Sequence, residues 1–381
     1  MSVESRVRAD PSPPPSPRVR GEGERASALR LSRRLRVGGS SILWPLAALG
    51  LLLLFNLIFT DGFFHLTIRD GRVYGSLIDI LNRCAPLMLL SLGMTLVIAT
   101  GGVDLSVGAV MAITGAIAAC LISNAGLKVQ APGSPLSAIN VTGSVVLAVS
   151  IALLAALVAG IWNGLLVALV DVQPIVATLI LMVAGRGVAQ LLTDGQNVTF
   201  NDARLAYLGS GFLFGLPFPL FVVAGMLVIT AFLSRGTALG LFVESVGNNP
   251  TASRYAGVNA RFVKLAAYAF SGLCAGIAGI VAVADIQSAD ANNAGLYSEL
   301  DAILAVSIGG TALTGGRFLL LGSIIGALLI QTLTTTILTR GVPPPATYVL
   351  KSLLIVVVCL LQSEAFRAAV QRKLKRTRRA A

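Results

Sequence analysis

Val145-Val-Leu-Ala-Val-Ser-Ile-Ala-Leu-Leu-Ala-Ala-Leu-Val-Ala-Gly-Ile-Trp-Asn-Gly-Leu-Leu-Val-Ala-Leu-Val170 contains no ionisable side chain. A helix needs about 20 apolar residues to cross a hydrocarbon layer roughly 30 Å thick, so this run is a membrane span. Runs of that kind recur along the chain, about ten in all by the same length criterion. They are Ser41 to Phe59, Leu77 to Ala99, Leu105 to Ile122, Val145 to Val170, Pro174 to Leu192, Phe218 to Leu233, Val263 to Ala284, Leu300 to Ala312, Leu319 to Leu338 and Thr347 to Leu361. With 55% hydrophobic and 12% charged residues, and a mean hydropathy of +0.83, the composition excludes an ordinary soluble domain. The sequence predicts an all-α polytopic membrane protein with about ten transmembrane helices. The third, sixth and eighth runs are short or Gly-rich. They are predicted to be broken or re-entrant, which is tolerable only where protein neighbours satisfy the backbone.

Basic residues near span ends are retained on the cytoplasmic side. Most of the 29 Lys and Arg lie in the N-terminal forty residues, in the C-terminal tail from Arg367, or at Arg235, Arg254, Arg261, Lys264 and Arg317. Arg69, Arg72, Arg83, Lys128, Arg204, Arg340 and Lys351 fall on the opposite side, and Arg186 lies inside the fifth run. Both termini are therefore expected to be cytoplasmic. The Pro-, Ser- and Arg-rich stretch 1–40 reads as a disordered basic tail, residues 41–364 as one transmembrane domain, and residues 365–381 as a second basic tail. The net charge of +12 follows largely from these retention residues. It does not point to nucleic acid, which would need a folded basic surface with stacking aromatics.

Enzyme chemistry finds little support. His65 is the single histidine, and Cys84, Cys120, Cys274 and Cys359 are scattered through apolar runs without metal-ligand spacing. The chain has no Gly-x-x-x-x-Gly-Lys-Ser/Thr phosphate cradle. Any nucleotide must then be held by a partner.

Three polar interruptions carry more information. Glu244-Ser-Val-Gly-Asn-Asn-Pro-Thr-Ala-Ser-Arg-Tyr-Ala-Gly-Val-Asn259 reads as a short helix specified at both ends. Asn249 suits the N-cap, Pro250 the first helical position and Gly257 the left-handed residue that ends a helix. Such a helix either spaces two spans or gives a soluble partner something to grip. Gly101-Gly-Val-Asp-Leu-Ser-Val-Gly108 and Gly309-Gly-Thr-Ala-Leu-Thr-Gly-Gly316 share the pattern Gly-Gly-x-x-Leu-Ser/Thr-x-Gly, a weak internal repeat. Asp104 is expected to cap the helix that follows. Asp285 to Asp301 gathers Asp290, Asn292, Asn293, Tyr297, Glu299 and Asp301, groups that suit a polyhydroxylated solute or a solvated external loop. Within the spans, Asn163, Gln173, Thr178, Arg186 and Gln190 are the polar residues expected to face a pathway. Arg186 is the costliest to bury alone, and should face water or a carboxylate. Paired glycines at Gly160/Gly164, Gly272/Gly276 and Gly322/Gly326 predict close helix packing without selecting a function.

The runs Gly93 to Gly108, Val246 to Asn259 and Glu299 to Gly316 resemble the signature stretches of the ribose and monosaccharide class of ABC-importer permeases. The resemblance extends in order over roughly Leu77 to Gln362. Within that class, Gln173 to Gln190 and Ala289 to Leu296 look closest to the galactofuranose importer permeases. The resemblance implies a monosaccharide permease of the bacterial inner membrane, paired with itself or a close paralogue. It also implies cytoplasmic ABC ATPase subunits that carry ATP and Mg, with no cofactor on this chain, and a periplasmic sugar-binding protein. The polar helix becomes the coupling helix, with Glu244, Gly247, Asn249, Pro250, Arg254 and Gly257 as its working positions. The loops at Gly101, Gly102, Asp104 and Gly108 and at Gly309, Gly310, Gly315 and Gly316 become structural motifs. Thr251 and Ser253 depart from the commonest family form, where an acidic residue and Ala are frequent. The alternative is an ion-coupled secondary carrier, which commonly places ionisable groups within its spans. Arg186 is the one charge placed mid-span here.

Overall fold

The structure, a computed structural model, describes residues 42–60, 62–123, 144–343, 346–347, 349–353 and 356. The tails 1–40 and 365–381 lie outside the described residues, as does most of the tenth apolar run. One compact unit runs from Pro45 to Ala381; the other, Met1–Trp44, is described only at its last residues.

The helices are α1 Ile42–Phe59, α2 Ser76–Ala99, α3 Val107–Ile122, α4 Val145–Ala168, α5 Pro174–Leu192, α6 Ala203–Ser210, α7 Phe218–Ala231, α8 Ala238–Asn248, α9 Pro250–Tyr255, α10 Ala260–Ile286, α11 Ser298–Ile308 and α12 Leu320–Thr339. Among the described residues, 7 helices are long and apolar enough to cross a membrane, counting α7 with its continuation to Gly236. The three runs flagged as broken differ among themselves. The third is a 16-residue helix, the eighth has 11 residues, and the sixth passes into a π-turn at Phe232–Gly236. α6 and three two-stranded ribbons, none marked by an apolar run, lie in the connections.

α4 shows the packing rule. Ala148, Ala152, Ala156, Gly160 and Gly164 repeat every fourth residue on the buried face, while Val146, Leu154, Val158 and Trp162 are exposed on the other. Small residues inward and large ones outward is the pattern expected when lipid, not water, covers the outer face. The stripe meets its counterpart on α10: a Cβ on Gly160 would lie 3.1 Å from the Cα of Gly272, and one on Gly276 would lie 2.5 Å from the Ala156 side chain. The Gly322/Gly326 pair brings α12 against Gly309 and Ala305 of α11 in the same way. Of the seven long helices, α2 is the most enclosed, with 78% of its apolar window buried against 22% for α4 and α5. It forms the centre of the bundle with α3 and α10.

Candidate functional site

The segment between α7 and α10 is a chain of three capped pieces. The Thr237 hydroxyl accepts from the Leu239 amide to start α8. Asn249 ends α8 and begins α9, its side-chain oxygen accepting the Ala252 N–H at 2.9 Å. Pro250 holds the first helical position, and Gly257, with φ of 86°, ends the helix. Asn259 then caps α10 by accepting from the Phe262 amide. The expected short helix is present, but Glu244 and Gly247 belong to the helix before it. Glu244 lies 3.9 Å from Arg235, and its backbone carbonyl accepts from the Asn248 side chain. α9 is a six-residue knuckle, with Arg254 and Gly257 exposed and Tyr255 88% exposed.

The helix before this knuckle, α8, packs at the meeting point of the two Gly-rich loops. The Gly316 amide donates to the Ala99 carbonyl at 2.9 Å, joining the second Gly-rich loop to the end of α2. Gly247 fits into that junction. A Cβ there would overlap the Ala99 carbonyl oxygen and approach the Gly316 nitrogen to 2.5 Å. A Cβ on Gly315 would lie 2.9 Å from the Gly101 Cα and from the Gly247 carbonyl oxygen. Backbone meets backbone on three sides of this junction. Gly102 packs against the hydroxyl end of Tyr268, and Gly310 follows the end of α11.

Asp104 does something other than cap α3. Ser106 holds the N-cap position, and no side chain bonds the first-turn amides. Asp104, 1% exposed, instead gathers three elements. One carboxylate oxygen accepts from the Ser106 amide at 3.0 Å and hydroxyl at 2.7 Å; the other accepts from Ser271 of α10 at 2.9 Å. Asn163 of α4 donates to the Ser106 hydroxyl at 2.7 Å. Asn163 and Thr178 are fully buried in this region, Thr178 donating to the Pro174 carbonyl, so neither lines an open path in this conformation. Gln173 is exposed at the start of α5 and makes no capping bond.

At the far end of α10 the polar loop does assemble. Asp290 accepts from the amides of Asn292 and Asn293 at 2.9 and 3.1 Å, and from the Asn293 side chain at 2.7 Å. Gln190 donates to Asn292 at 2.8 Å. Arg186 donates to the carbonyls of Ala291 and Ala294, so backbone oxygens take the direct bonds expected from water or a carboxylate. Strand Val198–Thr199 pairs with Ser288–Ala289 and fixes the start of the loop. Glu299 is 2% exposed, and its Oε2 lacks a hydrogen-bond partner among the described residues, next to Gly108 and Gly295. Asp301 is set apart: it accepts from Lys351 at 2.8 Å, an ion pair that removes it from the cluster.

Desolvation pushes the Asp290 carboxyl upward, but the bonds from Asn293 and Asn292 and the Arg186 charge outweigh it and hold the group below its usual range. A depressed carboxyl stabilises the loop above its unfolded value, about 3.9, and that contribution is lost as pH falls through the folded value. Amide exchange at Asn292 and Asn293, corrected for its intrinsic pH dependence, is expected to rise below about pH 4. In Asp290→Asn it should start high and stay flat; a matching acid-induced rise in that variant would show that another group controls the loop.

The model of the family described as branched-chain amino acid transport system / permease component matches residues 76–359. The chain belongs to this permease family. It is 51% identical over 328 residues to the galactofuranose transporter permease protein YtfT of Escherichia coli strain K12, covering 85% of this chain and 91% of that one. Identity is 37% to the fructose import permease protein FruF of Bifidobacterium longum strain NCC 2705, over 85% of this chain and 88% of that one. The ribose import permease protein RbsC of Escherichia coli strain K12 is 34% identical over 76% of this chain and 86% of that one. No solved structure matches. The permease is thus a multi-pass membrane protein whose sugar-transporting relatives share most of its length. Sequence reasoning missed Ser106, Ser271 and Asn248 as site residues, although Ser106 lies inside the quoted motif. A lone serine in an apolar stretch carries no signal until its partner is known.

Proposed function

We propose that the chain is the membrane permease of an ABC importer for a monosaccharide, with galactofuranose the preferred cargo. Separate cytoplasmic ATPase subunits bind ATP and Mg, a periplasmic protein delivers the sugar, and a second permease, identical or closely related, completes the pore. The chain itself is not an enzyme. In this reading both termini and α9 face the cytoplasm of a bacterial cell, and the protein sits in the inner membrane. The observation that carries it is the packing of α8 through Gly247 where the two Gly-rich loops meet, in a chain 51% identical to a galactofuranose permease. ATP-driven closure of the motors moves the knuckle, and Gly247 passes the movement to the ends of α2 and α11. This alternates access to a path whose outer mouth holds Gln190, Asn292, Asn293 and Arg186. Amides and one guanidinium suit sugar hydroxyls, which both donate and accept.

The test is sugar uptake and ATP hydrolysis measured together in vesicles containing permease and ATPase. Arg254→Glu reverses the charge of an exposed knuckle position. Gly257→Val forces a β-branched residue into a left-handed conformation that costs about 1–2 kcal/mol. Both variants are expected to hydrolyse ATP while losing most uptake. Uptake per ATP equal to the unaltered protein in both would remove α9 from the mechanism.

A further inference from the structure

A half-open apolar pocket of about 130 Å³ lies between α2, the π-turn after α7, α8 and α10. Leu96, Leu233, Leu239, Val243, Val263 and Ala266 contribute to its wall. Its one hydroxyl, on Ser234, already donates to the Ala231 carbonyl, so a polar guest would find no free partner there. A pocket walled by aliphatic side chains favours a hydrocarbon guest over a polar one. Basic residues adjoin the lining residues in sequence. Arg235 follows the lining residue Ser234, with its side chain 63% exposed, its guanidinium over the Phe318 ring and Glu244 at a loose 3.9 Å. Lys264 follows the lining residue Val263, and Arg261 lies one turn earlier. α8 itself is amphipathic: Gly240, Val243 and Val246 are buried, while Leu241 is 71% exposed and Phe242 is 38% exposed. Phe232 and Phe262 flank it, also exposed. That is the surface of a helix lying in a membrane interface.

We propose that this pocket is a lipid site, receiving the end of an acyl chain of an anionic phospholipid whose phosphate is met by Arg235 and Lys264. The apolar interior selects a hydrocarbon chain, and the adjoining basic residues select a negative headgroup over a zwitterionic one. The chain wedges behind α8, the helix that carries Gly247, so the occupant braces the element proposed to transmit movement. The site depends on the membrane reading of the chain. It is independent of which solute is carried.

The full-length protein is placed in phosphatidylethanolamine vesicles doped with a phosphatidylglycerol bearing a photoreactive group on one acyl chain, and labelled residues are mapped by mass spectrometry. Labels are expected on Leu239, Val243, Val263 or Ala266. Ala266→Phe, which fills the pocket, should cut that labelling at least tenfold, while Val243→Ala, which enlarges it, should raise it. Arg235→Gln should bring the phosphatidylglycerol signal down to that of a phosphatidylcholine probe. Labels confined to Phe232, Leu241 and Phe262 would overturn the site, as would lining labels unaffected by every variant. Lining labels lost when the ATPase docks would assign the pocket to the partner and also overturn it. The readout needs no transport, so failure of the import reading and failure of the lipid site are distinguishable.

Discussion

Gly247→Val is expected to abolish coupled uptake, with the smaller Gly247→Ala impaired in the same direction. Even the first side-chain carbon would overlap the Ala99 carbonyl oxygen and press on the Gly316 nitrogen at 2.5 Å. All the obstacles are backbone atoms, so no rotamer change relieves the clash. α8 must withdraw from the loops or the loops must part, and parting them breaks the bond from the Gly316 amide to Ala99. Overpacking of this kind costs about 1–3 kcal/mol of stability, a loss the fold survives. Function is the more sensitive quantity, since a displacement near 1 Å in a positioned element costs roughly 100-fold in rate. Uptake in vesicles should therefore fall by about two orders of magnitude while thermal unfolding shifts modestly. Wild-type uptake in Gly247→Val would show that the junction is packing alone and transmits nothing.

The seven long apolar helices were legible because each is a local property: an apolar run of sufficient length needs no knowledge of its neighbours. The knuckle was legible for the same reason, since Asn249, Pro250 and Gly257 act within one or two turns. What the knuckle touches was not. Gly247 is separated from Ala99 and Gly316 by long stretches of chain, and nothing local marks three backbones that meet only after folding. The pattern shared by the two loops hinted at a common role, and their contact through Gly101 and Gly315 supplies a physical reason for small residues in both. Arg186 was legible as a residue needing partners, but their chemistry was not. A guanidinium has five donors, and carbonyls freed by an irregular loop satisfy it directly. Asp301 was grouped with Asp290 by proximity in sequence. Yet it lies on α11 and pairs with Lys351, 50 residues away. Asp104 misled for a related reason: its position suited a cap, and only the packing of α4 and α10 reveals Asn163 and Ser271 around it.

Asp104→Ala carries the largest expected stability effect, because it removes the acceptor common to the loop and α10. The Ser106 amide and hydroxyl and the Ser271 hydroxyl all donate to this carboxylate, at 2.7 to 3.0 Å, in a site 1% exposed. A buried donor left without an acceptor costs about 1–3 kcal/mol, and the Ser106 amide has no rotor with which to find another. The hydroxyls can turn toward carbonyls on their own helices, so the expected total is about 3–5 kcal/mol rather than the full sum. Against a stability of about 5–15 kcal/mol this is enough to reduce the folded yield sharply. Asp104→Asn keeps one acceptor and should lie between Ala and the native residue. Thermal unfolding of the full chain in detergent checks the order. A double-mutant cycle with Ser271→Ala separates a true network from two independent losses, since removing both partners orphans fewer groups than removing one. The pair is expected to lose less than the sum of the singles by about 0.5–3 kcal/mol. Additivity within about 0.5 kcal/mol would mean that Asp104 and Ser271 are neighbours without coupling, and that α10 is held to the loop by its glycine packing alone.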